Sequence, residues 1–168
     1  MAPPQKPGRS KQDYGTPRKL LEALKNRLHI KRFWCDLAAS KENAVALCYY
    51  TEQDDALQQG WNSEECGFFI PKFGAGEWGF CNPPFAHITP WVQKAWQEAE
   101  LGAHIAMLLP ASVGSNWWRD WVHDKAHVLL MNGRVHFVGA DGLYPKDTVI
   151  ALYTPHSHGG YEIYDWRA

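Results

Sequence analysis

Two adjacent prolines fix where one strand of this chain must stop. Pro83 and Pro84 follow the apolar run Trp78-Gly79-Phe80-Cys81 and a single asparagine, Asn82. Proline locks φ, donates no hydrogen bond and pushes the preceding residue into an extended conformation. A buried strand entering this pair therefore has to hand over to a loop at Asn82. An amphipathic helix is expected from Ile88 to Leu101, with Thr89 as its cap and Pro90 in its first turn. Strand, stiff loop and helix in that order belong to open α/β sheets, where ligands bind beyond the carboxyl ends of the strands. The loop has the chemistry to hold an amine. The Asn82 amide oxygen accepts hydrogen bonds, and Pro83 and Pro84 offer carbonyls with no N–H of their own. Phe85 adds a flat apolar face, and stacking a base on such a face is worth roughly 1–3 kcal/mol.

The rest of the chain repeats the alternation. Thr16 is a good N-cap and Pro17 a good first helical residue, and Leu20, Leu21, Leu24 and Leu28 form one stripe of the helix that follows. Phe33–Leu37 reads as a short buried strand ending near Asp36, and Ser40 as the cap of a short helix through Asn43 to Leu47. Ala103–Leu109 is continuously apolar, the pattern of a strand covered on both faces. Ser115 to about Asp124 reads as helix and Ala126–Met131 as strand. Asn132-Gly133 is a hairpin signal leading into Arg134–Val138. Thr148–Tyr153 is a further strand and Tyr161–Tyr164 a candidate edge strand. These elements predict an α/β fold, with a mostly parallel sheet flanked by helices and an antiparallel edge hairpin.

Length and charge bound the function. A chain of 168 residues suits one compact domain, here residues 13–168, after a Pro-, Lys- and Gly-rich arm at residues 1–12 that is expected to be disordered. No apolar run reaches the roughly 20 residues that span a bilayer, and no signal peptide is visible, so a cytoplasmic location without membrane contact is expected. Cys35, Cys48, Cys66 and Cys81 lack close pairing, and His123 and His127, four apart, have no third ligand at clear spacing, so no metal is expected. The net charge of −1 hides an asymmetry: residues 1–32 carry nine basic side chains against two acidic ones. That excess suits phosphate, with Lys6, Arg9 and Lys11 in the arm as nucleic-acid contacts, or else a solvated helix face.

An ordered set of blocks gives this pattern a family. Asp13-Tyr14-Gly15-Thr16-Pro17, Phe33-Trp34-Cys35-Asp36-Leu37-Ala38-Ala39-Ser40 and Glu42-Asn43-Ala44 come first. Tyr49-Tyr50-Thr51, Asp54-Asp55-Ala56-Leu57 with Trp61, Asn82-Pro83-Pro84-Phe85 and Pro90-Trp91-Val92 follow. Met107-Leu108-Leu109-Pro110 and Asn132-Gly133-Arg134-Val135-His136-Phe137 complete the set. Over residues 13–153 this resembles the phage-type, Dam-like DNA N6-adenine methyltransferases, which are S-adenosylmethionine-dependent amino-methyltransferases. The chain departs from the wider methyltransferase superfamily in having no glycine in Asp36-Leu37-Ala38-Ala39-Ser40.

The resemblance implies a Rossmann-like methyltransferase fold, S-adenosylmethionine as cofactor and double-stranded DNA as partner, in a host cytoplasm or nucleoid if a phage encodes the chain. It implies that Asn82 and the Pro83 carbonyl accept the protons of the target amine, with Pro84 stiffening the loop and Phe85 stacking on the base. Tyr14, Thr16, Pro17, Asp36, Ala38, Ala39, Asp54 and Asp55 become candidate cofactor contacts, against plainer roles as helix caps or exposed acidic turns; Asn43 is a weaker candidate. Ser112 and Asn116, beyond the strand ending at Pro110, become candidate DNA contacts. Arg134 suits either a phosphate or a structural ion pair. Trp117, Trp118 and Trp121 suit core packing better than DNA contact. Base readout is expected from residues 62–78 and 139–147. N4-cytosine transfer and a catalytically silent DNA-binding relative stay open.

Overall fold

The computed structural model describes residues 14–61 and 77–168. The basic arm and most of the 62–78 loop, expected to meet DNA, lie outside the described residues.

Helix α1 (Arg18–Leu28) is followed by the short strands β1 (Cys35–Asp36) and β2 (Cys48–Tyr49). Two 3₁₀ turns, Glu52–Asp54 and Ala56–Gln58, lead toward Trp61. Strand β3 (Gly79–Cys81) enters the double proline. A 3₁₀ turn, Phe85–His87, then runs into α2 (Thr89–Glu100). Strand β4 (Ile105–Pro110), helix α3 (Asn116–Trp121) and strands β5 (His127–Met131), β6 (Thr148–Tyr153) and β7 (Tyr161–Tyr164) complete the order.

The strands form one seven-stranded sheet in the order β2-β1-β3-β4-β6-β5-β7. Pairing is parallel throughout β2-β1-β3-β4 and between β5 and β7, and β6 runs antiparallel to both β4 and β5. The expected α/β class, mostly parallel with an antiparallel component, is what forms. That component lies one strand further in than an edge hairpin, because β7 covers β5. Asn132-Gly133 closes no tight turn. Residues 134–137 are not strand, and Val138 instead makes an isolated antiparallel bridge to Gly15.

The continuous apolar run of β4 is explained by cover on both faces. Ile105, Met107 and Leu109 point to one side, with Val92, Ala95 and Ala99 of α2 and Trp118 of α3. Ala106 and Leu108 point to the other, with Leu20 and Leu24 of α1. The α1 stripe read from the sequence thus buries two of its four leucines fully, and Leu21 and Leu28 pack at its margin. Trp118 is buried and Trp117 and Trp121 pack against the same core, so the tryptophan cluster is structural.

Three local expectations differ. Pro17, not Thr16, occupies the N-cap position of α1, and no side chain caps that helix. Residues 43–47 are not helical: one turn closes on Ser40, whose carbonyl accepts from Ala44 N at 3.1 Å and whose N–H goes to Asn43 Oδ1 at 2.6 Å, but the next N–H, of Val45, is bonded to Asp36 Oδ2 at 3.1 Å. Helix α3 stops at Trp121, so His123 and His127 share no helical face; His127 lies in β5.

One buried charge ties α2 to the chain before residue 62. Glu98 is 5% exposed, accepts from Lys94 Nζ at 2.6 Å and from the Trp61 N–H at 3.2 Å. Trp61 is fully buried and donates its indole N–H to the Ala56 carbonyl at 2.8 Å. Removing Glu98 would strand the Trp61 N–H and a half-covered ammonium. Glu98→Ala is therefore expected to cost about 2–4 kcal/mol in urea unfolding. A loss under about 0.5 kcal/mol would show that water replaces the carboxylate.

Candidate active site

The register of the parallel strands gathers the motif loops at one end of the sheet. Asp36 of β1 pairs with both Tyr49 of β2 and Phe80 of β3, and Cys81 pairs with Met107 of β4. The chain beyond each strand therefore emerges side by side: residues 37–45, 50–55, 82–87 and 111–116. Backbone bonds lace the first pair together, from Tyr50 N to the Asp36 carbonyl (2.9 Å) and from Ala39 N to the Tyr50 carbonyl (2.9 Å).

Asn82 is half-buried, and its Nδ2 donates to Thr16 Oγ1 at 3.3 Å. Thr16 is 8% exposed, so the hydroxyl expected to cap a helix serves the motif instead. An amide whose nitrogen is committed presents its oxygen as the remaining acceptor. Among the described residues nothing donates to Asn82 Oδ1 or to the Pro83 carbonyl. The Pro84 carbonyl differs: it accepts from the His87 N–H at 3.2 Å and closes the 3₁₀ turn. The acceptors available in the loop are thus Asn82 and Pro83, and Pro84 contributes stiffness.

Phe85 is half-buried and meets two rings edge-on. The centroid distances from Phe85 are 6.2 Å to Phe137 and 5.5 Å to Tyr144, at interplanar angles of 75° and 70°. Neither ring is parallel to Phe85, so among the described residues no aromatic ring stacks flat on it. Tyr144 lies within the 139–147 stretch expected to read bases, but no periodicity singles it out there, and the fold brings it to the motif.

The carboxylates have local duties. Asp36 is 3% exposed, and its two oxygens accept from the N–H groups of Ala38 (3.3 Å) and Val45 (3.1 Å). It braces the 37–45 loop, on which Ala38 and Ala39 are half-buried. Burial pushes its pKa up to about 6, against the pull of those two N–H groups. Asp54 is exposed and accepts from the Thr51 hydroxyl and the Thr51 N–H, both at 2.7 Å; these bonds, the hydroxyl first, hold its pKa below the usual carboxylate range. Asp55 is exposed, with a left-handed φ of 46° that aspartate tolerates between two 3₁₀ turns.

A cleft of about 640 Å³, within the size range of small-molecule sites, meets the motif through Thr16; of the cofactor contacts expected from the sequence, only Thr16 and the weaker candidate Asn43 line it, and none of Asn82–Phe85 does. Gly15, Thr16 and Arg18 line one wall, Ser40, Asn43 and Val45 another, and Val138 and Gly139 close it. Thr16 is shared between this cleft and the Asn82 hydrogen bond. Tyr14, exposed, and Pro17, half-buried, flank it in sequence. Ser112, half-buried, and Asn116, exposed, follow β4 at the same end, where Ser115 caps α3 by accepting from Trp118 N at 3.4 Å. Arg134 is exposed, with its Nε 3.7 Å from Asp147. Lys6, Arg9 and Lys11 lie outside the described residues. Among those described, no group of three or more His, Cys, Asp or Glu side chains is placed to hold a metal, and no helix is long and apolar enough to cross a membrane.

An open, mostly parallel α/β sheet of this order, flanked by helices, is consistent with a Rossmann-like methyltransferase fold. The chain belongs to the DNA N-6-adenine-methyltransferase (Dam) family, whose pattern matches residues 5–150. Among curated proteins, the DNA N-6-adenine-methyltransferase of Escherichia phage T1 is 27% identical over 116 residues, 69% of this chain. That stretch is 43% of the phage protein, so the chain spans under half the length of this relative.

The Asp36 brace has a pH signature. Its folded-state pKa lies above the ordinary value of 3.8, so between about pH 4 and pH 6 the folded chain holds a proton that the unfolded chain releases. Stability therefore falls as pH rises through that window, by about 3 kcal/mol for a lift of this size. Asp36→Asn does not titrate there. Urea unfolding from pH 4 to 7 should show the variant gaining on the native protein by about that amount. A gap independent of pH would mean that the carboxyl titrates as an exposed one.

Proposed function

We propose that this chain transfers a methyl group from S-adenosylmethionine to the N6 amine of adenine in DNA. The observation that carries the reading is the orientation of Asn82: with Nδ2 given to Thr16, Oδ1 is the acceptor beside the Pro83 carbonyl, which has no donor among the described residues. Family membership supports it.

The N6 lone pair of adenine is delocalised into the ring, and the amine is a poor nucleophile. Asn82 Oδ1 and the Pro83 carbonyl each accept a hydrogen bond from one of its N–H groups, and both protons stay on the nitrogen until the methyl group has arrived. The nitrogen then moves toward tetrahedral geometry and its lone pair localises. Fixed acceptors of this kind act by positioning and by stabilising the charge that develops on the amine. Phe85 offers an aromatic face to the base, which offsets part of the few kcal/mol needed to extrude a nucleotide from a duplex.

The residues present suit S-adenosylmethionine, whose chemical role is to supply the methyl group. The cleft beside Thr16 has room for a molecule of that size; its wall carries hydroxyl and amide groups from Thr16, Ser40 and Asn43 and charged side chains of both signs, Arg18, Lys25, Arg32, Glu22 and Glu42. Tyr14, Thr16 and Pro17 cover the site from the α1 side. Ala38 and Ala39, on the loop that Asp36 braces, allow close backbone approach. Asp36, Asp54 and Asp55 are the carboxylates at this end of the sheet for a ribose or an amine; Asp54 and Asp55 are exposed, and Asp36 also holds the loop that carries Ala38 and Ala39. Ser112, Asn116 and Arg134 face DNA, and Arg134 can leave a loose, exposed ion pair for a phosphate. The arm with Lys6, Arg9 and Lys11 adds sequence-independent phosphate attraction.

Asn82→Ala is expected to fold, keep cofactor binding and lose roughly 10²-fold or more in methyl transfer. Thr16→Val, which frees the amide to rotate, should lose less. The assay is isotopic methyl transfer to duplex DNA followed by nucleoside analysis. Near-native activity in Asn82→Ala removes the amide from the chemistry, and label in methylcytosine rather than methyladenine overturns the choice of base.

A further inference from the structure

Segment 134–147, which makes no strand, grips the motif at two points. At one, Val138 and Gly15 exchange backbone hydrogen bonds of 2.8 and 3.1 Å, holding the residue next to Thr16, which in turn accepts from Asn82. At the other, Phe137 and Tyr144 meet Phe85, and the two rings meet each other at 5.8 Å and 85°. The segment is itself tied down. Tyr144 N donates to the Val135 carbonyl (2.7 Å), Ala140 N to the Phe137 carbonyl (3.1 Å), and Ala111 N to the Asp147 carbonyl (2.9 Å). Phe137 is 6% exposed and belongs to the core, whereas Tyr144 is half-buried at the margin. Burial raises the Tyr144 hydroxyl pKa, so the ring presents a neutral face to its neighbours.

A half-buried phenylalanine at the start of a 3₁₀ turn has freedom to rotate unless something stops it. Phe137 and Tyr144 press on Phe85 from two directions at interplanar angles of 75° and 70°, the edge-to-face geometry that aromatic pairs prefer. Such contacts favour one ring orientation over others.

We propose that Tyr144 is a positioning residue for base capture: through ring contact it holds Phe85 in the orientation that receives the extruded base, with no part for its hydroxyl. The inference rests on the reading of Phe85 as the base platform. It makes the 134–147 segment a support of the motif as well as a candidate surface for DNA.

The test is a double-mutant cycle on the full chain, with methyl transfer measured under saturating S-adenosylmethionine and varied duplex. A second readout uses a duplex carrying 2-aminopurine at the methylated adenine, whose fluorescence rises when the base leaves the stack. Tyr144→Leu should lower kcat about 10-fold and reduce the fluorescence rise, leaving the KM for the cofactor unchanged. Tyr144→Phe should stay within about 2-fold of native. The double variant Phe85→Leu/Tyr144→Leu should be no worse than Phe85→Leu alone, since a residue acting through Phe85 has nothing left to position. Native kcat in Tyr144→Leu, equal losses in Tyr144→Phe and Tyr144→Leu, or additive losses in the double variant would each overturn the inference. Should Tyr144→Leu fail to fold, Tyr144→Met replaces it under the same expectations. A harmless Phe85→Leu would instead overturn the platform reading itself, and a harmful Phe85→Leu with a harmless Tyr144→Leu overturns the role of Tyr144 alone.

Discussion

The parallel register of β1, β3 and β4 is the constraint on which the rest depends. These strands are short, and each is buried on both faces, so they lock into one alignment by packing. Alignment at Asp36, Phe80 and Ala106 makes the chain leave the sheet at one end three times over. The 37–45 loop, the double-proline loop and the residues beyond Pro110 are neighbours for that reason alone. A slip of one residue in β3 would turn Phe80 and Cys81 to opposite cores and carry Asn82 away from Thr16.

Much of this was legible in the residues. The apolar run of β4, the leucine stripe of α1 and the double proline each have one physically sensible solution, and β6 and β7 have the bounds that their β-branched and aromatic residues suggest. What was not legible depended on distant partners. Thr16 next to Pro17 looks like a cap, and local chemistry cannot reveal that its hydroxyl meets an amide 66 residues away. Residues 43–47 close a single turn on Ser40 and go no further, with the Val45 N–H bonded to the carboxylate of Asp36 nine residues back, a partner that local propensity does not reveal. Asn132-Gly133 suggested a tight hairpin, but β5 found β7 and β6 as partners, and the following residues bridged to Gly15.

The candidate site divides in the same way. The Asn-Pro-Pro-Phe loop could be read directly, because prolines and an amide at a strand end leave few alternatives. The carboxylates could not be ranked from sequence. Asp36, at a strand end, has the position expected of a ligand contact; the fold adds a second duty, since each of its oxygens also accepts an N–H of its own loop. Asp54 is held by Thr51 and stays at the surface. Strand-end position alone does not distinguish a carboxylate that shapes a pocket from one that faces its contents.

The reversed direction of β6 has a consequence of its own. Because β6 starts where β4 and β5 finish, the connection across residues 132–147 departs from and returns to the same rim of the sheet as the motif loops. A wholly parallel arrangement would have sent that stretch to the opposite rim. Insertions or deletions within it would reshape the mouth over Asn82 and leave the strands beneath in place, so reach and selectivity at the rim can change independently of the scaffold that carries the chemistry.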